Sequence, residues 1–334
     1  MRQAGAATAF HLSDDWFDAW TAAFAGGRGC TVAGLRLMAD TARIGPIRYR
    51  RLRSATNAHS VSYDLPAPAP DPRALVTALE AGGRADVIRL DYLPEGSALA
   101  QAFARAAPAA RHQPHALAPV ADCRRSYDAW LGDRSKRSRT RLRREFRAVE
   151  AMGMRFALAD RGDAIDPLLD EIFRVEQSGW KGRAGTAILD DPAAHAFYTD
   201  LARRAAAAGA LRLALLRHEG RIVAFEYGVL GGRRLFLLKV GYDETLAHLS
   251  IGHVLAAWHI GRCCDDPGID WYDKMGNGMT PAPYKLRFAD RLDPRYRLTL
   301  YAPTWRGAMV RWHDDARTAA RRLRATLRRR KAGP

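Results

Sequence analysis

Between residues 211 and 285 the apolar pattern changes its period part-way, and few folds accommodate such a change. Three short apolar runs come first, at 211–216, 222–230 and 235–240. His218-Glu219-Gly220 separates the first pair and Gly231-Gly232 the second, both turn chemistry for a hairpin. Past Gly241-Tyr242-Asp243, the triplet Ser250-Ile251-Gly252 opens a segment in which Val254, Leu255, Trp258 and Cys263 recur at helical spacing. A further apolar stretch, 269–272, runs into Asp273, Gly276 and Gly278, and the block closes on Tyr284-Lys285. An antiparallel meander is thus followed by strand, glycine, helix and strand. In that order a sheet presents helix-terminal backbone N–H groups to a phosphate-bearing ligand.

The rest of the chain reads as support for this block. Ser13-Asp14-Asp15 offers an N-cap to an amphipathic helix over 10–24, with Trp16, Phe17, Trp20 and Phe24 as its apolar stripe. Short runs at 31–36, 44–52 and 60–65 read as strands, the proline-rich 67–72 as a loop, 73–80 as a helix, 87–91 as a buried strand and 98–106 as another helix. Residues 107–119, with proline and histidine and little periodicity, read as the connection between two lobes. One helix is expected over 126–153, a strand at 154–158, and a helix over 165–178 that ends at Gly179-Trp180-Lys181-Gly182. A third helix spans 193–209. Beyond Tyr301, Met309, Trp312, Ala316, Ala319, Leu323 and Leu327 form a helical stripe flanked by arginines.

At 334 residues the chain is long enough for two lobes. Its net charge of +17 is concentrated. Residues 134–147 carry eight Lys/Arg against one Glu, and residues 305–334 carry ten against two Asp. Such segments attract phosphates, of nucleic acid, of anionic lipid or of a phosphorylated co-substrate. The bland alternative for the first segment is a solvated helix face. Of the four cysteines, Cys263 and Cys264 are adjacent, Cys30 and Cys123 are isolated, and no CxxC occurs. Neither a disulfide framework nor a metal site is expected, and His248, His253 and His259 match no metal motif. No window is long and apolar enough for a membrane span, and no secretory signal is visible. The expected location is the cytoplasm, with a peripheral place on the inner face of the membrane as the variant that a basic C-terminal helix allows.

Four local patterns carry a resemblance: Glu176-x-Ser178-Gly179-Trp180-Lys181-Gly182 with Gly185-Thr186-Ala187, Leu238-Lys239-Val240-Gly241-Tyr242-Asp243, Ser250-x-Gly252, and Asp273 with Tyr284-Lys285-x-x-Phe288. Taken in order across roughly residues 137–288, they resemble the GNAT acyltransferase superfamily, in its two-lobed CelD-like and FemAB-like branch. Ile251 stands where this branch has proline, and Gly252 alone is left of the glycine-rich pyrophosphate loop. The resemblance implies an α/β (α+β) protein of two GNAT-like lobes, each a mixed, largely antiparallel sheet flanked by helices. The expected division is an N-terminal lobe over 1–120, an acyltransferase lobe over 121–300 and a basic C-terminal helix or tail over 301–334.

The activity implied is transfer of an acyl group, acetyl in the simplest case, from acyl-CoA to a small-molecule or glycan amine, in polysaccharide or cell-envelope metabolism. Such a transfer needs a neutral amine, a donor for the oxyanion and a proton for the leaving thiolate. Asp273 is the first candidate for the base, with Glu226 and Glu176 as alternatives, and Tyr284 is the candidate proton donor. For each carboxylate the competing reading is a structural ion pair. Gly252, with Ser250 and His253, is the expected phosphate site, with Lys239 and Lys285 holding phosphates or a substrate carboxylate. Lys239, inside an apolar strand, needs an anionic partner. Trp180, Lys181 and Tyr242 join Glu176 as candidate substrate contacts. No metal is expected. Two further readings stay open. One is a FemAB-like transferase using aminoacyl-tRNA, with 134–147 and 305–334 on the RNA. The other is a non-catalytic binding module on a GNAT scaffold. Oligomeric state is not legible.

Overall fold

A computed structural model describes residues 9–65, 71–83, 85–107, 109–159 and 164–331, without the side chains of some residues in its second and last helices. The loop expected at 67–72 lies almost wholly outside them. The chain begins with a short 3-10 turn, Phe10–Leu12, and helix α1 (Asp14–Phe24). Ser13 Oγ accepts from the Trp16 amide and supplies the expected cap. Strands β1 (Gly29–Val32), β2 (Leu35–Ile44) and β3 (Ile47–Ser54) follow, then α2 (Pro72–Gly83), β4 (Val87–Pro94), α3 (Ala98–Ala106) and β5 (Arg111–Asp122). The second half runs α4 (Tyr127–Gly132), α5 (Lys136–Ala151), β6 (Arg155–Ala159), α6 (Ile165–Ser178), α7 (Trp180–Arg183) and α8 (Pro192–Ala207). Next come β7 (Leu211–His218), β8 (Arg221–Gly231), β9 (Arg234–Tyr242), α9 (Ile251–Asp265), β10 (Trp271–Asp273), α10 (Pro283–Leu286), β11 (Arg291–Tyr301) and α11 (Trp305–Lys331).

All eleven strands join one mixed sheet, in the order β1-β2-β3-β4-β11-β5-β10-β9-β8-β7-β6. The fold is mixed α/β, a large sheet flanked by helices, and it is GNAT-like. The two halves share this sheet and a core. Trp16 of α1 meets Phe197 of α8 edge-on, with ring centroids 5.7 Å apart, and both are buried. Such an aromatic pair adds roughly 1 kcal/mol beyond its area burial.

Several sequence expectations are corrected. Residues 107–119 are no connection: β5 runs through them and pairs with β11 on one side and β10 on the other. Strand β11 was not anticipated. It lies between β4 and β5, so residues 291–301 complete a part of the sheet built mainly from the N-terminal half. Its charged side chains are held in pairs: Arg297 donates to both oxygens of Asp91, and Arg295 to Asp273. The expected helix over 126–153 is two helices, broken at 133–135, where the Ser135 side chain caps α5. The run 31–36 contains the turn Ala33-Gly34 between β1 and β2, and 44–52 contains the turn between β2 and β3. Residues 60–65 are buried without forming a strand; the Tyr63 amide donates to Tyr92 O.

One irregularity prepares the site. β9 pairs with β8 along its length, but with β10 only over Arg234–Phe236 against Trp271–Asp273. Beyond Phe236 the two strands part, and among the described residues no strand pairs with that edge of residues 237–242. At the fork Tyr227 pairs with Lys239 and Gly228 with Leu237, so Leu238 is an extra residue, a β-bulge. The bulge brings the strands close at Gly228, where a Cβ would stand 2.8 Å from Leu235 Cδ1 and 3.1 Å from Phe236 O. Gly276 is needed on the far side of the fork. A Cβ there would meet Leu117 O of β5 at 1.8 Å.

Candidate functional site

The fork opens into a cavity of about 430 Å³. Its floor is Phe225, Glu226 and residues 237–242. Its far wall is Lys274, Tyr284 and Lys285. α6–α7 and the start of α9 form the rim. Eleven of the twelve residues singled out in the sequence line it: Glu176, Trp180, Lys181, Glu226, Lys239, Tyr242, Ser250, Gly252, His253, Tyr284 and Lys285.

Asp273 does not. It is fully buried; Oδ2 accepts from Arg234 at 2.8 Å and Arg295 at 2.7 Å, and Oδ1 from the Met275 amide at 2.7 Å. A carboxylate so engaged, buried and outside the cavity lining, is an ion-pair anchor joining β9, β10 and β11. Its burial and its two arginine partners speak against its place as first candidate base.

Glu176 has an anchoring role as well. Lys181 donates to its Oε1 at 2.6 Å, Lys239 lies 3.7 Å from the same oxygen, and the Ile188 amide donates to Oε2. The anionic partner that Lys239 needs is thus protein. Burial holds the Lys239 ammonium below its ordinary range, against the pull of Glu176. Lys181 also donates to Val240 O at 2.8 Å, pinning the turn after α6 to the free edge of β9.

Glu226 differs. Both its hydrogen bonds, from Tyr272 Oη at 2.6 Å and with His259 Nδ1 at 2.8 Å, fall on Oε2. Oε1 accepts nothing from the described residues, and Glu226 lines the cavity. Here a carboxylate is oriented by one oxygen and open at the other.

Lys274 was missed. It is 8 % exposed, and its side chain makes no hydrogen bond or ion pair among the described residues; its Nζ stands 5.0 Å from the Phe288 ring centroid. Burial pulls its pKa down to about 8, with Lys285 and Arg287 adding to the effect and Glu226 opposing it. Lys285 is likewise lowered to about 8, chiefly by burial, and donates to Met275 O. Two ammonium groups that release a proton near neutral pH therefore face one wall of the cavity. The signal was available: along a strand, side chains alternate faces, so of Asp273 and Lys274 only one turns toward the fork.

At the rim, Ser250 adopts a left-handed backbone (φ 56°) between the 3-10 turn Glu244–Leu249 and α9. A non-glycine residue held there stores roughly 1 kcal/mol or more. The amides of Ile251 and Gly252 that follow have no partner among the described residues, as the first turn of a helix requires. With the helix dipole they form a site for an anion. His253 is held neutral, its pKa lowered to about 4 by burial and by the adjacent Arg287. Burial pushes the Tyr284 phenol upward, so it keeps its proton at neutral pH. Trp180 is half exposed at the entrance, its amide fixed by Glu244 Oε1 at 2.7 Å. Among the described residues no cluster of His, Cys, Asp or Glu is arranged to hold a metal.

Residues 136–286 match the family model of the acetyltransferase (GNAT) domain. That stretch is similar to a GNAT domain. The matched stretch coincides with the one that carries the sequence resemblance, and it contains every residue of the fork. No curated protein matches the sequence. Among solved structures, the chain is similar to the C-terminal domain of a lysylphosphatidylglycerol synthetase from Agrobacterium fabrum (14 % identity, 87 % of this chain and 89 % of that one, TM-score 0.56). It is also similar to FemX (10 %, 86 % and 94 %, TM-score 0.57) and to L-PGS from Bacillus licheniformis (13 %, 90 % and 95 %, TM-score 0.52). At such identities the likeness concerns the fold alone. It extends over both halves of the sheet.

Proposed function

We propose that this GNAT protein is an N-acyltransferase whose donor, an acyl-CoA, lies in the fork between β9 and β10. The observation that carries the reading is the unpaired edge of residues 237–242, facing Lys274 and Lys285, with the free amides of α9 at its mouth. An extended donor arm with amide groups can add to that edge as a further strand does. Its diphosphate would meet Ile251 and Gly252 N–H.

The chemistry follows from the groups left free. The acceptor amine attacks the thioester carbonyl, forming a C–N bond and an oxyanion that the Lys274 ammonium faces. Glu226 Oε1 takes the proton the nitrogen gives up, with Oε2 held by Tyr272 and His259. As the C–S bond breaks, Tyr284 supplies the thiolate with a proton. A glycan or envelope amine as acceptor rests on the CelD-like resemblance of the sequence.

A second reading has an observation of its own. α5 packs on α9 and on the 244–249 turn at the rim, and exposes Arg137, Arg143, Arg144 and Arg147. An RNA backbone could follow that helix to the cavity, as a FemAB-like aminoacyl-tRNA donor requires.

Calorimetric titration with acetyl-CoA, longer acyl-CoAs and an aminoacyl-tRNA, at low and high salt, separates the two. Saturable acyl-CoA binding, weakened about tenfold by Gly252→Val, supports the first reading. At Gly252 a new Cβ would lie 3.2 Å from the Tyr242 ring. Tight, salt-sensitive binding of the charged tRNA without acyl-CoA binding would replace it with the second.

A further inference from the structure

α11 uses two faces differently. One face docks on the sheet. Val310 is buried against Tyr49 and Val87, Asp314 accepts from Arg89 (3.1 Å) and from Tyr301 (2.9 Å), and Asp315 pairs with Arg111. Gly307 sits so close to the chain before it that a Cβ would stand 2.2 Å from Ala302 O. Both acidic residues of the C-terminal segment are thereby tied to the body of the protein.

The other face is apolar and bare. At about 100° per residue, Trp305, Ala308, Trp312, Ala316, Ala319, Ala320 and Leu323 fall within an arc of about 120°; Met309, toward one side of that arc, packs on the Tyr49–Val87–Val310 cluster. No charged residue between positions 305 and 323 enters that arc, while Arg306, Arg311 and Arg317 lie on its flanks. Trp305 is 62 % exposed, Trp312 71 % and Leu323 63 %. A stripe of that width on a globular helix ordinarily faces a core. Here all of it but Met309 faces away from the residues that dock the helix.

We propose that this face of α11 is a membrane-docking surface, lying flat on an anionic phospholipid bilayer with its apolar arc among the upper acyl chains. Charge complementarity identifies the occupant. The segment 305–334 holds ten Lys/Arg, and its only two acidic residues are engaged by Arg89, Arg111 and Tyr301. A tryptophan-bearing apolar centre with arginine flanks matches the order of a lipid interface: hydrocarbon below, phosphate headgroups to the sides. An RNA backbone fits less well, because the outward centre of the face carries tryptophan, alanines and leucine in place of cations.

The test is co-sedimentation of the full chain with vesicles of equal parts phosphatidylglycerol and phosphatidylcholine, beside pure phosphatidylcholine vesicles and a short single-stranded RNA. The wild-type protein should bind the anionic vesicles about tenfold or more tightly than the neutral ones. Trp312→Glu/Leu323→Glu should weaken that binding by about tenfold or more at an unchanged melting temperature, since both side chains are exposed. Trp312→Ser alone, milder for folding, should show the same direction. Absence of vesicle binding, or vesicle binding equal in wild type and variants, overturns the proposal. So does RNA binding, or self-association lost in the variants, where vesicle binding is absent.

Discussion

Asp273 and Lys274 are neighbours at the end of β10 and serve opposite faces: the carboxylate of Asp273 is clamped by Arg234 and Arg295, while the ammonium of Lys274 stands unpaired at the wall of the cavity. The first ties β10 to β9 and β11, and the second gives the fork a cation that burial has made easy to deprotonate. Stability and chemistry thus separate across one peptide bond, and substitutions can address them one at a time.

Lys274→Met should lower kcat by about a hundredfold while leaving donor affinity nearly intact, as expected for loss of a charge that acts on the oxyanion. In the wild-type enzyme the rate should fall as pH rises through about 8, where Lys274 loses its proton. The variant should lack that limb. A limb that persists in Lys274→Met would assign it to Lys285, which titrates in the same range. Steady-state rates across pH, for both proteins, make the comparison.

Stability should move the other way with pH. The Lys274 pKa is about 8 when folded against 10.5 ordinarily. Below pH 8 both states carry the charge and the folded one bears the full cost of burying it. Between pH 8 and about 10 the folded lysine is neutral while the unfolded one remains charged, so stability rises with pH. The span is on the order of 3 kcal/mol. Lys274→Met should therefore stabilise the fold most at pH 7 and least near pH 10, as read by urea unfolding. A gain independent of pH would contradict the assignment.

Asp273→Asn should act on the fold before it acts on the chemistry. It leaves Arg295 buried without its carboxylate and weakens the hold on Arg234, at about 3 kcal/mol or more. Denaturant unfolding measures this. A variant of wild-type stability with turnover reduced a hundredfold would return Asp273 to the role of base.

Truncation should depend sharply on where the chain is cut. Ending it after Tyr301 exposes Tyr49 and Val87 and leaves Arg89 without Asp314, costing about 2 kcal/mol or more. Ending it after Ala320 keeps those contacts and should change the melting free energy by less than about 0.5 kcal/mol. Equal stability of the two truncated proteins and the full chain would mean that α11 adds nothing to the core.

Local pattern made much of this protein legible. The meander 211–240, the helix opening at Ile251 and the Ser13 cap each follow from turn chemistry or a period that near neighbours impose. What escaped was set by distant partners. β5 carries Pro114 and Pro119 and reads as a connection, yet β11 and β10 flank it and supply its ladder. β11 reads as polar because Arg291, Arg295 and Arg297 interrupt it; only the folded sheet brings Asp273 to Arg295 and Asp91 to Arg297. The same holds at the fork. Alternation shows that Asp273 and Lys274 face opposite ways, but which of them faces the cavity depends on Arg234 and Arg295, and Arg295 lies in the strand that could not be seen.

The most direct measurement is a crystal structure of the protein with a non-hydrolysable acetyl-CoA analogue. The donor arm should extend along residues 237–242, with its carbonyl between Glu226 and Lys274 and its diphosphate on the amides of Ile251 and Gly252. A donor bound elsewhere with the fork left empty would contradict it.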